Sequence, residues 1–235
     1  MSSKTISHYH PDMDRFLIPP GSIDEQLDFY AIFGNNQPIE VEIGTGKGRF
    51  ILAESRRRPE TNFLGIERSL KWLRVALLRA AKEPRPNLAF LGLDADMVVK
   101  LLTPPRSIAA YHVYFPDPWP KERHHKRRLF HQRFLEKMAE TLVEQGRLLL
   151  RTDHAEYYHA ARSKILQSSL FGLQHEHIED QRDAQNLPET ATHYEIKFRQ
   201  EARKIHHAEF AVTHSNLSGN GNAQKQNPAT LDNQT

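Results

Sequence analysis

Apolar residues interleave with acids at 39–43, where Ile39, Val41 and Ile43 alternate with Glu40 and Glu42. That period of two predicts a strand. Phe50, Ile51 and Leu52 then open a helical stretch that runs to 58 and is stopped by Pro59. The change of period recurs down the chain. Residues 62–66 predict a second strand. Residues 70–82 predict a helix with Leu70, Leu73, Ala76, Leu77 and Ala80 on one face, stopped by Pro84 and Pro86. Strands at 88–93 and 108–115 flank a short helix at 97–102. A helix at 129–144, a fifth strand at 146–151 and a helix at 155–170 follow, and 173–178 and 194–198 predict two more strands. Upstream, Ser22 and Glu25 stand at capping-box spacing before a short helix to about Phe33, closed by Gly34.

Strands alternating with helices specify an α/β fold: a doubly wound, mostly parallel, seven-stranded Rossmann-like sheet covered on both faces. The last two strands have no helix between them and predict an antiparallel edge. The expected organisation is a flexible arm over 1–20, one domain over 21–213 and a disordered polar tail over 214–235. Residues 215–235 are rich in Asn and Gln, with only Leu217 and Leu231 as large aliphatics.

At the end of the first strand, Gly44, Gly46 and Gly48 stand two residues apart before a helix. A strand turning through glycines into a helix makes a ligand crevice at the carboxyl edge of a parallel sheet. A P-loop is excluded, because Lys47 is followed by Gly48 and not by Ser or Thr. The dinucleotide fingerprint needs a third glycine at 49, which is Arg49. What remains, E-x-G-x-G-x-G from Glu42 to Gly48, resembles the first motif of class I S-adenosylmethionine-dependent methyltransferases.

Carboxylates recur at later strand ends: Glu67 after the second, Asp94 after the third and Asp117 after the fourth. An acid after the second strand can accept from both hydroxyls of a ribose. That alone also fits a nicotinamide-dependent oxidoreductase. An acidic crevice suits the cationic sulfonium and ammonium of S-adenosylmethionine better than it suits a pyrophosphate.

Composition narrows the context. The 235 residues include no cysteine, so disulfides and thiolate metal sites are excluded. The first ten residues lack the apolar core of a signal peptide, and no run approaches the length of a membrane span. A cytoplasmic protein with no membrane partner is expected, as monomer or homodimer. Fourteen histidines include no H-E-x-x-H, and His154 and His159 are five apart, so no metal is expected. Net charge is +3 and the pI is about 9.1, and the excess is clustered. Residues 121–128 hold five Lys or Arg against one acid, a basic run that suits phosphate contacts. Just before it, Phe115-Pro116-Asp117-Pro118-Trp119-Pro120 fixes an acid and a tryptophan between prolines.

The ordered set E-I-G-T-G-K-G, G-I-E-R-S, D-A-D, F-P-D-P-W-P-K-x-R-H-x-K-R-R-L, R-T-D and T-H-Y-E resembles the bacterial tRNA (guanine-N7)-methyltransferase family from about 38 to 200. The resemblance implies methyl transfer from S-adenosylmethionine to N7 of a tRNA guanine, at position 46 of the variable loop. It implies that Glu42, Glu67, Asp94 and Asp117 line the cofactor site with Gly44, Gly46 and Gly48, and that Asp117 acts in the active site. Lys121, Asp153, Thr192, His193, Tyr194 and Glu195 are implied for the guanosine. Arg123, His124, His125, Lys126, Arg127 and Arg128 are implied for the RNA backbone. Guanine N7 carries a free lone pair and no proton, so Asp117 is expected to position and to stabilise charge, not to act as a base. Asp153 and Glu195 are acceptors of the type that N1–H and the 2-amino group need, and Trp119 or Tyr194 can stack on the base. A non-catalytic RNA-binding module is the remaining alternative.

Overall fold

A computed structural model describes residues 13–23, 25–179 and 189–213. The polar tail over 214–235, the first twelve residues of the expected arm and Asp24 lie outside the described residues.

The chain forms strand β1 (Leu17–Ile18), helix α1 (Phe29–Phe33), β2 (Ile39–Ile43), α2 (Arg49–Arg57), β3 (Asn62–Ile66) and α3 (Leu70–Ala80). There follow β4 (Leu88–Leu91), α4 (Ala95–Met97) with a wide π turn over Val98–Leu102, β5 (Ile108–Tyr114), a 3-10 turn over Glu122–Arg127 and α5 (Gln132–Thr141). The chain continues through β6 (Leu142–Thr152), α6 (Ala155–Gln167), β7 (Phe171–Glu179), α7 (His193–Gln200) and β8 (Ile205–Val212). The strands make one sheet in the order β1-β4-β3-β2-β5-β6-β8-β7. All neighbours from β1 to β6 are parallel, and β8 runs antiparallel to both β6 and β7. Strand order reverses direction at β2, whose neighbours are β3 and β5. That reversal places a crevice at the carboxyl end of β2.

The sheet is covered on both faces, as the near-continuous apolar strands require. Along β3 and β4, Phe63, Leu88 and Phe90 pack with Phe50, Leu73 and Leu77 in one apolar cluster. Their alternates Leu64, Ile66, Ala89 and Leu91 pack with Phe134, Met138 and Tyr157 in the other. Successive side chains on a strand point to opposite faces, so β3 and β4 feed both clusters.

Five expectations are corrected. The sheet has eight strands, because β1 pairs with β4 at Leu17↔Phe90. Residues 13–20, expected within a flexible arm, bury Met13, Phe16 and Ile18. The Ser22 capping box does not form: Ser22 Oγ donates to Pro19 O at 2.7 Å, and Asp28 caps α1 by accepting from Ala31 N. Leu70, expected on the apolar face of α3, is 72% exposed. Residues 194–198 are helical, not a strand. Tyr194, Ile196 and Phe198 imitate a period of two, but Thr192 Oγ1 accepts from Glu195 N at 2.9 Å and starts α7. The final strand is instead β8, where Ala208, Phe210 and Val212 are buried in alternation.

On the antiparallel edge, the rings of His177 and His207 stack at 4.3 Å. His207 Nε2 lies 3.3 Å from Glu179 Oε2 but is too poorly aligned for a hydrogen bond. Burial first, and then the positive charge of Arg151, push His207 down to about 3. In an unfolded chain it titrates near 6.5, so between those values the unfolded chain binds the proton more strongly. Its contribution to stability is therefore full above pH 6.5 and drains away as pH falls toward 3, at up to about 1.4 kcal/mol per pH unit. Denaturant melts at pH 7.5 and pH 5 should show wild type losing more stability than His207→Gln. Equal losses refute this.

Candidate active site

The site begins at the turn after β2. Gly44, Gly46 and Gly48 all have positive φ (77, 53 and 71°). At Gly48 the constraint is also steric, since a Cβ there would meet Ala76 Cβ at 2.9 Å. At Gly46 a Cβ would meet nothing within 4 Å, so bare backbone faces open space. The Ile66 carbonyl accepts from Gly44 N at 2.8 Å and Thr45 N at 3.2 Å. Glu67 accepts from Gly46 N at 2.9 Å and from Ser69 N at 2.7 Å, which ties the turn to the start of α3. Glu67 thus serves the turn first, and its remaining lone pairs are what a ligand could use.

Two adjoining cavities flank this turn. The larger, about 720 Å³, is walled by Gly44, Gly46, Glu67, Asp94, Asp117 and Trp119, with Lys126 and Arg127 at its basic side. The smaller, about 270 Å³, is walled by Glu42, Lys47, Arg49, His193, Tyr194 and Lys197. Trp72, Tyr114 and Tyr194 face both.

The four expected acids sit in different environments. Glu42 is 4% exposed; it takes a hydrogen bond from the Ile51 backbone, yet its Oε2 has no partner among the described residues. Burial first, then the nearby Glu67 charge, push its carboxyl well above the usual range, against the pull of Arg151. Its strand neighbour Glu40 is equally buried but satisfied. Burial alone would raise it, but hydrogen bonds from His112 (2.8 Å) and Arg58 (2.9 Å) hold it down to about 2. Asp94 caps α4 through Asp96 N and is half exposed, with Arg68 3.9 Å away. Asp117 is exposed on the wall of the larger cavity.

The loop that carries Asp117 is strained. Phe115 and Trp119 have φ of 51 and 42°, and each precedes a proline. Such backbone costs about 1–3 kcal/mol per residue and persists only when its surroundings enforce it. Phe115 N donates to Arg151 O at 2.8 Å, and Arg128 braces the loop further on. Its Nε donates to Pro118 O at 2.9 Å, its guanidinium pairs with Glu156 at 2.9 Å, and it lies 5.6 Å above the Tyr157 ring. The Arg128 side chain is only 7% exposed, so it is an internal strut where a phosphate contact was expected. Arg127 sits 4.9 Å over Trp119, and His124 meets that ring edge-on at 5.8 Å. Lys121 and Arg123 are exposed, and His125 is half-buried.

The residues expected at guanosine separate into two groups. Thr192, His193 and Tyr194 line the smaller cavity. His193 Nε2 lies 2.6 Å from an Arg79 nitrogen; burial, then Arg79, Lys47 and Arg49, lower its pKa. Asp153, Glu195 and Lys121 line neither cavity. Asp153 pairs with Arg203 at 2.7 Å. Glu195, 1% exposed, pairs with Arg199 at 2.9 Å and Arg151 at 3.5 Å. Both are thus bound up in ion pairs. No group of three or more metal-ligating side chains occurs among the described residues.

Sequence reasoning missed Lys47, Trp72 and Tyr114. Trp72 sits in a helix rich in leucine and passes for core. Its signal was composition: the chain has two tryptophans, and both face the larger cavity.

Comparison with known proteins identifies the family and the fold. A family model described as "Putative methyltransferase" matches residues 36–208. The chain is 39% identical over 152 residues to a tRNA (guanine-N(7)-)-methyltransferase of Rhodopirellula baltica, covering 63% of this chain and 56% of that one. It is 33% identical over 179 residues to the Streptococcus suis protein of the same name, covering 76% and 82%. A 16S rRNA (adenine(1408)-N(1))-methyltransferase from Catenulisporales acidiphilia, solved with cosubstrate SAM, superposes with a TM-score of 0.56 at 15% identity, over 80% of this chain and 92% of that one. At that identity the likeness speaks for the fold.

Because the folded protein holds the Glu42 proton more tightly than an unfolded chain, the Glu42 contribution to stability falls as pH rises above the ordinary carboxylate range. Glu42→Gln keeps the shape and removes the buried charge. It should raise the melting temperature of the ligand-free protein at pH 8 by roughly 2–4 °C, and by less at pH 5.5. Equal shifts at both pH values would refute a strained carboxyl.

Proposed function

The chain belongs to the tRNA (guanine-N(7)-)-methyltransferase family, and on that premise we propose that it transfers a methyl group from S-adenosylmethionine to N7 of a guanine in tRNA. The products are N7-methylguanosine and S-adenosylhomocysteine. The observation that carries the reading is that one cavity gathers the glycine turn, three strand-end carboxylates and the Trp119–Arg127 pair. Family membership replaces the nicotinamide reading. We place the reaction in the cytoplasm, where tRNA is processed; no helix of the described residues is long and apolar enough to cross a membrane.

When bound, the donor supplies its methyl from a sulfonium cation. The residues present fit such a group: Gly44 and Gly46 offer bare backbone, Glu67 and Asp94 offer acceptors on the larger cavity, and Glu42 has an unpartnered oxygen at the wall of the adjoining smaller one. Guanine N7 needs no deprotonation, so the chain's task is orientation. Positive charge passes to the purine as the methyl transfers. Asp117, fixed in its strained loop, stabilises that charge without reorganising. Trp119 and Tyr194 offer stacking faces to an extruded base. Lys126 and Arg127 take phosphates, with Lys121 and Arg123 further out. Glu195 is assigned to holding the Thr192–Tyr194 turn through its ion pairs and the cap of α7.

Unmodified tRNA incubated with the protein and labelled S-adenosylmethionine should yield N7-methylguanosine on nucleoside analysis; folded protein giving none overturns the proposal. At saturating donor, Asp117→Ala should lower kcat about 10²-fold. Near-wild-type turnover would remove Asp117 from the reaction.

A further inference from the structure

The site has a second cationic–aromatic rim, on the side of the glycine turn away from the Trp119 loop. In the sheet order, β3 and β5 flank β2. The loop after β5 carries Trp119 and Arg127, and the helix after β3 carries Trp72. The two rims thus stand on either side of the glycine turn, and both tryptophans face the larger cavity. Trp72 is dressed like Trp119. Lys47 Nζ lies 5.0 Å and Lys71 Nζ 4.9 Å from its ring centroid, as the Arg127 guanidinium lies 4.9 Å from Trp119. Trp72 is only half-buried, and Lys71 and Arg74 are exposed. From Arg68 to Lys82 the chain holds five Lys or Arg and no Asp or Glu.

A solvated helix usually mixes signs, because i,i+4 pairs of opposite charge support it and like charges repel. The one-signed α3 forgoes that support beside an acidic cavity, and a polyanion lying across it recovers the loss. A ring bearing cations at its face is also the equipment for stacking a base while neutralising its phosphate.

We propose that Trp72, Lys47, Lys71 and Arg74 form a second RNA-contact surface, which grips the strand on the far side of the target nucleotide from the Lys121–Arg127 block. This rests on the tRNA substrate proposed above. The acidic cavity repels phosphates, so a target base enters it only if the backbone on either side is held off by cations. One rim anchors the strand at one flank; the second fixes the other, and the nucleotide between them is presented to the cavity.

The test uses the full chain with Lys71→Gln plus Arg74→Gln, exposed positions outside both cavities, and separately Trp72→Ala and Trp72→Phe. tRNA affinity is measured from 50 to 200 mM salt, and donor affinity is measured by calorimetry. The double variant should bind tRNA about tenfold more weakly and lose roughly 1–2 units of salt slope, with donor affinity unchanged. Trp72→Ala should weaken tRNA binding and Trp72→Phe should restore most of it, since a stacking face is retained. Wild-type tRNA affinity and slope in the double variant would overturn the second rim while leaving the substrate reading intact. A folded wild-type protein that neither binds nor methylates tRNA would overturn both.

Discussion

The glycine turn after β2 is the constraint on which the site depends. Three left-handed residues in five positions would not hold one conformation unaided, since glycine loses the most backbone freedom on folding. The Ile66 carbonyl and the Glu67 carboxylate hold it, taking the amides of Gly44, Thr45 and Gly46. Because Glu67 also takes Ser69 N, the same side chain sets where α3 begins, and hence where Trp72 stands. The turn, the cavity wall and the second rim share one fastening.

Charge is divided in space. Acids line the interior of the crevice, and cations stand at its edges with indole rings beneath them. Such a division suits a reaction that brings a cationic donor and a polyanionic acceptor together, each of which would be repelled from the other's place. It also explains why a modest net charge of +3 is compatible with RNA binding: the distribution carries the function that the total conceals.

The parallel core was legible because period and punctuation agreed: β3 was bounded correctly, and β2, α2 and α6 nearly so. Legibility failed where one residue pattern served two structures. Tyr194, Ile196 and Phe198 alternate as in a strand, yet Thr192 and Glu195 stand at capping-box spacing, and the cap prevailed. The candidate acids were legible as acids but not as environments. Glu40 and Glu42 look alike in sequence, yet one is hydrogen-bonded by Arg58 and His112 and the other keeps an orphan oxygen. Arg128 reads as the end of a basic run, and only three-dimensional contact with Pro118 and Glu156 shows it to be a strut.

The orphan oxygen of Glu42 has a thermodynamic consequence. If the donor's cation is met by Glu42, as the proposed function has it, a carboxyl that holds its proton in the ligand-free protein releases that hydrogen ion into the buffer as the donor enters. Apparent affinity for the donor then climbs with alkalinity until that carboxyl ionises by itself, and the heat evolved on mixing depends on the ionisation enthalpy of the buffer. A residue that looks like a defect of the fold would make the enzyme's grip on its methyl donor a reporter of ambient acidity.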